Sequence, residues 1–119
     1  MAKIKIEIAD SPMQLAQGLM HRDKLDADSG MLFKFRQAAP VAFWGKNTYI
    51  PLDVAFIVEN KISEIKHIAP LSTKMIHSTG NCSMALEANA GYFSRNNIIT
   101  GSSVKFIKDD SGKEVEIEF

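Results

Sequence analysis

Trp44, Lys46, Asn47, Thr48 and Asp53 place a stacking surface, a cation, an amide, a hydroxyl and a carboxylate within one short stretch, Phe43 to Asp53. A tryptophan ring lies well against the apolar face of a sugar or an organic cation, while amide, hydroxyl and carboxylate groups read a polar edge. Arg22, Glu87 and Asn89 extend the set: the two charged residues follow or interrupt apolar sequence, and Asn89-Ala90-Gly91 offers backbone N–H groups to an anion. Together these eight residues point to recognition of a small polar ligand, with a carbohydrate as the first expectation. The same residues also fit a purely structural account. Asn47 and Thr48 then satisfy a turn before Pro51, Trp44 fills the core, Asp53 pairs with Lys46 or Arg22, Arg22 and Glu87 form a buried ion pair, and Asn89 caps a helical turn.

Catalysis has less to stand on. Asp53 and Glu87 would serve as the acid and base of a hydrolase only if folding set them roughly 5 to 10 Å apart across one cleft. The sequence contains neither a Gly-x-Ser-x-Gly elbow nor a phosphate-binding Gly-Lys-Ser/Thr loop. His21, His67, His77 and Cys82 lack the close paired spacing of a zinc site, so neither a metal nor a cofactor is expected. The sequence therefore favours a non-enzymatic binding or accessory domain. A carboxylate-pair hydrolase and a protein-interaction domain with an exposed aromatic patch are the alternatives.

Composition narrows the setting. At 119 residues and 45% hydrophobic content the chain suits one core, read as a single domain over residues 1–119. Fourteen basic residues balance fourteen acidic ones, so no global charge draws the chain to nucleic acid or to an anionic membrane. No apolar run approaches the roughly 20 residues that span a bilayer, and the start lacks the order of a signal peptide. A soluble protein is expected. Its compartment stays open: periplasmic or extracellular if a leader was removed, cytoplasmic otherwise. The lone Cys82 excludes an internal disulfide.

The elements that must position these residues are mostly strands. Lys3 to Ile8 alternates with period two, which puts Ile4, Ile6 and Ile8 on one face. Ser11, Pro12 and Gln14 form a helix start, and a short helix is expected from about Pro12 to about Met20, with Gly18 marking a close backbone approach. Further strands are expected at Met31–Phe35, Val41–Trp44, Val54–Val58, Ile62–Ile68, Ser83–Ala88, Val104–Lys108 and Glu114–Phe119, with a tight turn at Glu59-Asn60-Lys61 and a helical turn ending near Arg95. Pairing the terminal strands would set Lys3 and Lys5 against the Glu-rich face of the last strand, although Glu7 spoils a perfect register. The fold class is mostly β with short helices, a compact sandwich or barrel-like domain.

Gln17-Gly18-Leu19-Met20 with Arg22, Gly30-Met31-Leu32-Phe33 with Phe35, Phe43-Trp44 with Lys46-Asn47-Thr48, Pro51-Leu52-Asp53, Leu86-Glu87, Asn89-Ala90-Gly91 and Gly101 follow one another along the chain as an ordered set of motifs. In this the chain resembles the bacterial and archaeal family called domain of unknown function 192, over nearly its whole length. The resemblance implies a compact β-sandwich or barrel-like domain with short helices, no established reaction, and relatives that often carry secretion or lipoprotein leaders. Gly45 departs from the pattern, which usually has Met between Trp and Lys. If that Met shapes a pocket, the pocket here differs.

Overall fold

The computed structural model describes residues 2–119. Nine strands and two short helices follow in the order β1 (Lys3–Ala9), α1 (Pro12–Gln17), β2 (Ser29–Ala39), β3 (Ala42–Phe43), β4 (Leu52–Val58), β5 (Lys61–Ile68), β6 (Ile76–His77), β7 (Cys82–Asn89), α2 (Tyr92–Arg95), β8 (Lys105–Lys108) and β9 (Glu114–Glu118). Seven strands form one sheet in the order β5-β4-β7-β2-β1-β9-β8, and β3 pairs with β6 as a separate ribbon. The mostly β class expected from sequence is found.

The terminal strands pair as their charges suggest. β1 and β9 run antiparallel, with Lys3 opposite Glu118 and Lys5 opposite Glu116. Glu7 lies beyond that ladder and takes a bidentate bond from the Arg22 guanidinium instead, at 2.5 and 3.0 Å. On its other side β1 runs parallel to β2, and a parallel pair needs a crossover. α1 supplies it. Ser11 caps the helix, the Gln14 side chain returns to the Ser11 backbone, and Pro12 occupies the first turn. The helix stops at Gln17 rather than Met20, because Gly18 leaves the helical region at φ 50° and the chain continues as turns.

Alternation along the central strands gives the sheet two apolar faces. Leu32, Ala55, Ile57, Leu86 and Ala88 face a core shared with Ile4, Ile62, Ile117 and the α2 residues Tyr92 and Phe93. Met31, Phe33, Val54, Phe56 and Ala85 face the opposite core, roofed by α1, the turn after it and the β3–β6 ribbon. The sheet curls around the first core but does not close by a β5–β8 ladder. Its rims meet through the segment before β8: Lys61 bridges Ser103, and Ile62 N–H donates to the Ser102 carbonyl at 2.9 Å. The barrel-like expectation is thus met in curvature and not in closure. Glu59 and Asn60, both at positive φ, form the tight β4–β5 turn. Among the described residues no helix is long and apolar enough to cross a membrane.

Candidate functional site

The second apolar face is incompletely covered. Between α1 and the β3–β6 ribbon an open cavity of about 710 Å³ reaches down to the sheet. Phe33 and Phe35 of β2 and Glu87 of β7 form its floor, α1 and the following turn give one wall through Leu15, Gly18 and Met20, and Phe43, Trp44 and Thr48 give the other. Met13 and Met75, both exposed, stand at its edge. The Phe43 ring meets Phe33 edge-on at 5.0 Å and tilts against Phe56 at 6.0 Å, so the aromatic lining is packed from behind.

The Trp44–Thr48 wall is held by its backbone. Gly45 N–H donates to the Ser72 carbonyl at 2.8 Å, Thr48 N–H closes a turn onto the Gly45 carbonyl at 3.0 Å, and the carbonyls of Asn47 and Thr48 accept from His21 and Leu71 N–H. Asn47 sits at φ 57°, a conformation its short amide side chain tolerates. The loop thereby joins the turn after α1 to the turn at 69–72. A Cβ on Gly45 would stand 2.1 Å from the Ala69 carbonyl oxygen. Glycine here admits the neighbouring turn, and Gly45 itself is not among the residues lining the cavity.

Glu87 lies in the middle of the sheet, opposite Met31 on β2 and Val54 on β4, and is only 4% exposed. Its Oε1 is 3.9 Å from the place a Cβ on Gly18 would occupy, an ordinary contact distance, so the carboxyl borders the turn that follows α1. Among the described residues no protein group donates to this carboxyl or pairs with it, and burial alone pushes its pKa up to about 8. At neutral pH it is an acid that holds its proton. Gly18 was expected to admit a backbone; what a Cβ there would meet is the Phe33 ring, at 3.2 Å, and then this carboxyl.

Of the eight candidate residues, Trp44, Thr48 and Glu87 come together in the cavity and five do not. Arg22 does not meet Glu87 or Asp53; its partner is Glu7, on a half-exposed flank. Asp53 accepts from Gly91 N–H at 2.8 Å and meets His67 Nδ1 at 3.0 Å. The backbone donor foreseen for an external anion therefore holds an internal one. Asn89 donates to the carbonyls of Leu25 and Asp26, tying the crossover to β7. Lys46 is exposed and lies over the Trp44 ring at 5.1 Å, and Asn47 is exposed on the loop tip. Asp53 and Glu87 are set in adjacent rows of the β4–β7 ladder, Asp53 opposite Ala88 and Val54 opposite Glu87. Neighbouring rows point to opposite faces, so the two carboxyls lie on different sides of the sheet. A hydrolase using them as acid and base is excluded by that placement.

Phe33, Phe35, Phe43, Met13 and Met75 also line the cavity and were not foreseen as lining. Their apolar character read as core, and the two-residue strand β6 that brings Met75 near gave no periodic signal.

No curated protein matches the chain. A crystal structure from Sinorhizobium meliloti 1021, described provisionally as a transcription regulator, is similar with 39% identity and a TM-score of 0.82, over 84% of this chain and 79% of that one. A protein of unknown function from Novosphingobium aromaticivorans DSM 12444 is similar with 30% identity and a TM-score of 0.83, over 87% of this chain and 75% of that one. The family model of domain of unknown function 192 (DUF192, Uncharacterized ACR) matches residues 1–106, and the chain belongs to that family.

Proposed function

We propose that the chain is a non-enzymatic small-molecule-binding domain whose site is the cavity between α1 and the β3–β6 ribbon. One observation carries this reading: Glu87, a carboxyl with no protein partner among the described residues, sits at the floor of an open, aromatic-lined cavity of about 710 Å³. A carboxyl that faces an open cavity without a protein donor, its pKa raised by burial, is the kind of group a ligand can engage. Cavities of this size, mostly apolar with a few convergent polar groups, suit small organic ligands.

The polar ligand foreseen from sequence becomes a mostly apolar one with a single polar head. The groups that would have read a carbohydrate are occupied elsewhere, Asp53 with Gly91 and Asn89 with the crossover. Trp44, the only tryptophan, reports occupancy through its fluorescence. Ligands that change this signal are expected to raise the melting temperature in proportion to their affinity, and Ala16→Phe, which places a ring on the α1 wall, is expected to abolish both effects. A ligand set that leaves Trp44 fluorescence and melting temperature unmoved would remove the reading.

A further inference from the structure

We infer that the polar head of the ligand is a protonated amine, bound as an ion pair to Glu87 with its hydrocarbon part against Trp44, Phe33 and Phe43. The inference rests on the cavity being a ligand site. Two observations select this head group over a carboxylate or a hydroxyl.

Glu87 is the only titratable side chain among the residues lining the cavity. An anionic ligand would meet no cation there, whereas an ammonium supplies both the charge and the N–H donors that a buried carboxylate lacks. The walls are aromatic, and the negative faces of such rings attract cations, more so when water is excluded. Met20, with Met13 and Met75 at the edge, adds polarisable, conformationally adaptable thioether contacts for the hydrocarbon part. The charges around this floor are elsewhere engaged. From β2, Met31 and Phe33 flank Glu87, from β4 Val54, and from the turn after α1 Gly18. The Glu7–Arg22 pair lines a separate cleft that shares Gln17 and Gly18 with the cavity, and Lys46 lies over the Trp44 ring, itself exposed.

Binding has a defined proton balance. Below about pH 8 the free site holds a carboxylic acid and the free amine is an ammonium; forming the carboxylate–ammonium pair sends the Glu87 proton to buffer. Amine affinity is therefore expected to rise about tenfold per pH unit up to about pH 8 and then to level until the amine itself deprotonates. A neutral ligand that accepts a hydrogen bond from the acid behaves oppositely, level below that pH and weaker above it.

The test is a fluorescence titration of the full chain with 2-phenylethylamine, 2-phenylethanol and 3-phenylpropanoate from pH 6 to pH 9, repeated on Glu87→Gln. The amine is expected to bind best at alkaline pH, with proton release seen by calorimetry in buffers of different ionisation enthalpy. In Glu87→Gln the amine is expected to weaken by about tenfold or more, while the alcohol changes little. Binding of the alcohol or the carboxylate with no amine preference would overturn the amine assignment and leave the cavity reading standing. Binding of none of the three, with the native fold confirmed by circular dichroism, would overturn both.

Discussion

Glu87 carries a stability signature of its own, separate from any ligand. Its folded-state pKa, about 8, lies above the unfolded carboxyl value. Between these two the folded protein holds a proton that the unfolded chain has released, so stability contributed by Glu87 is fully present below about pH 4.5 and is lost as pH rises to about 8. The slope is about 1.4 kcal/mol per pH unit in that window. Glu87→Gln, which keeps the shape and cannot ionise, is expected to remove this slope and to melt above wild type at pH 8; urea titrations of both proteins across the window check it. Gly45 makes a second residue-scale prediction. A Cβ there meets the Ala69 carbonyl at 2.1 Å, and backbone cannot yield as a flexible side chain does. Gly45→Ala is expected to cost about 1–3 kcal/mol, and Gly45→Met at least as much, measured by chemical denaturation. The family resemblance marked Gly45 as a departure, but not that the 69–72 turn fills the space, because that contact joins segments far apart in the chain.

At the scale of elements, the two faces of the sheet separate what the motifs mix. Asp53 fastens Gly91, at the start of α2, on one face, and Glu87 opens to the cavity on the other. Asp53→Ala is therefore expected to lower stability by about 1–3 kcal/mol, through the Gly91 N–H left without its acceptor, and to leave binding to the folded protein unchanged in Trp44 titrations. α1 behaves differently because it forms a wall. Ser11→Ala removes the capping box and is expected to cost about 1 kcal/mol, while loosening Leu15 and Gly18 enough to weaken ligand binding as well. Strand alternation and the Ser11-Pro12-Gln14 start were legible because they depend on neighbours in sequence. The fate of Arg22, Asp53 and Asn89 was not: each could be recognised as a polar residue in need of a partner, but Glu7, Gly91 and the Leu25 carbonyl become partners only through the crossover and the sheet order.

Across the whole molecule, the curl of the sheet is fastened at one seam. Gly101 and Val104 N–H groups donate to the carbonyls of Ile62 and Asn60 at 2.7 and 2.8 Å, yet the adjoining strands do not form a ladder. Hydrogen exchange is expected to protect these amides less than those of Leu86 and Ala88 in β7, which lies between β4 and β2; equal protection would show that the seam opens only with global unfolding. The curl could be anticipated from many short strands, but the seam could not, since it joins residues 60–62 to residues 101–104, far apart in the chain. The pairing of β1 with β9 has a kinetic consequence. Lys3 lies opposite Glu118, and Phe119 N–H reaches the Ala2 carbonyl at 3.1 Å, so this ladder brings together opposite ends of the chain and must wait for the largest loop to close. A circular permutant that links residue 119 to residue 2 through a short turn and opens at Ser111 converts the same ladder into a local hairpin. Its refolding in stopped-flow is expected to be faster than that of the natural order, with the loop-closure entropy moved from the terminal pair to β8 and β9.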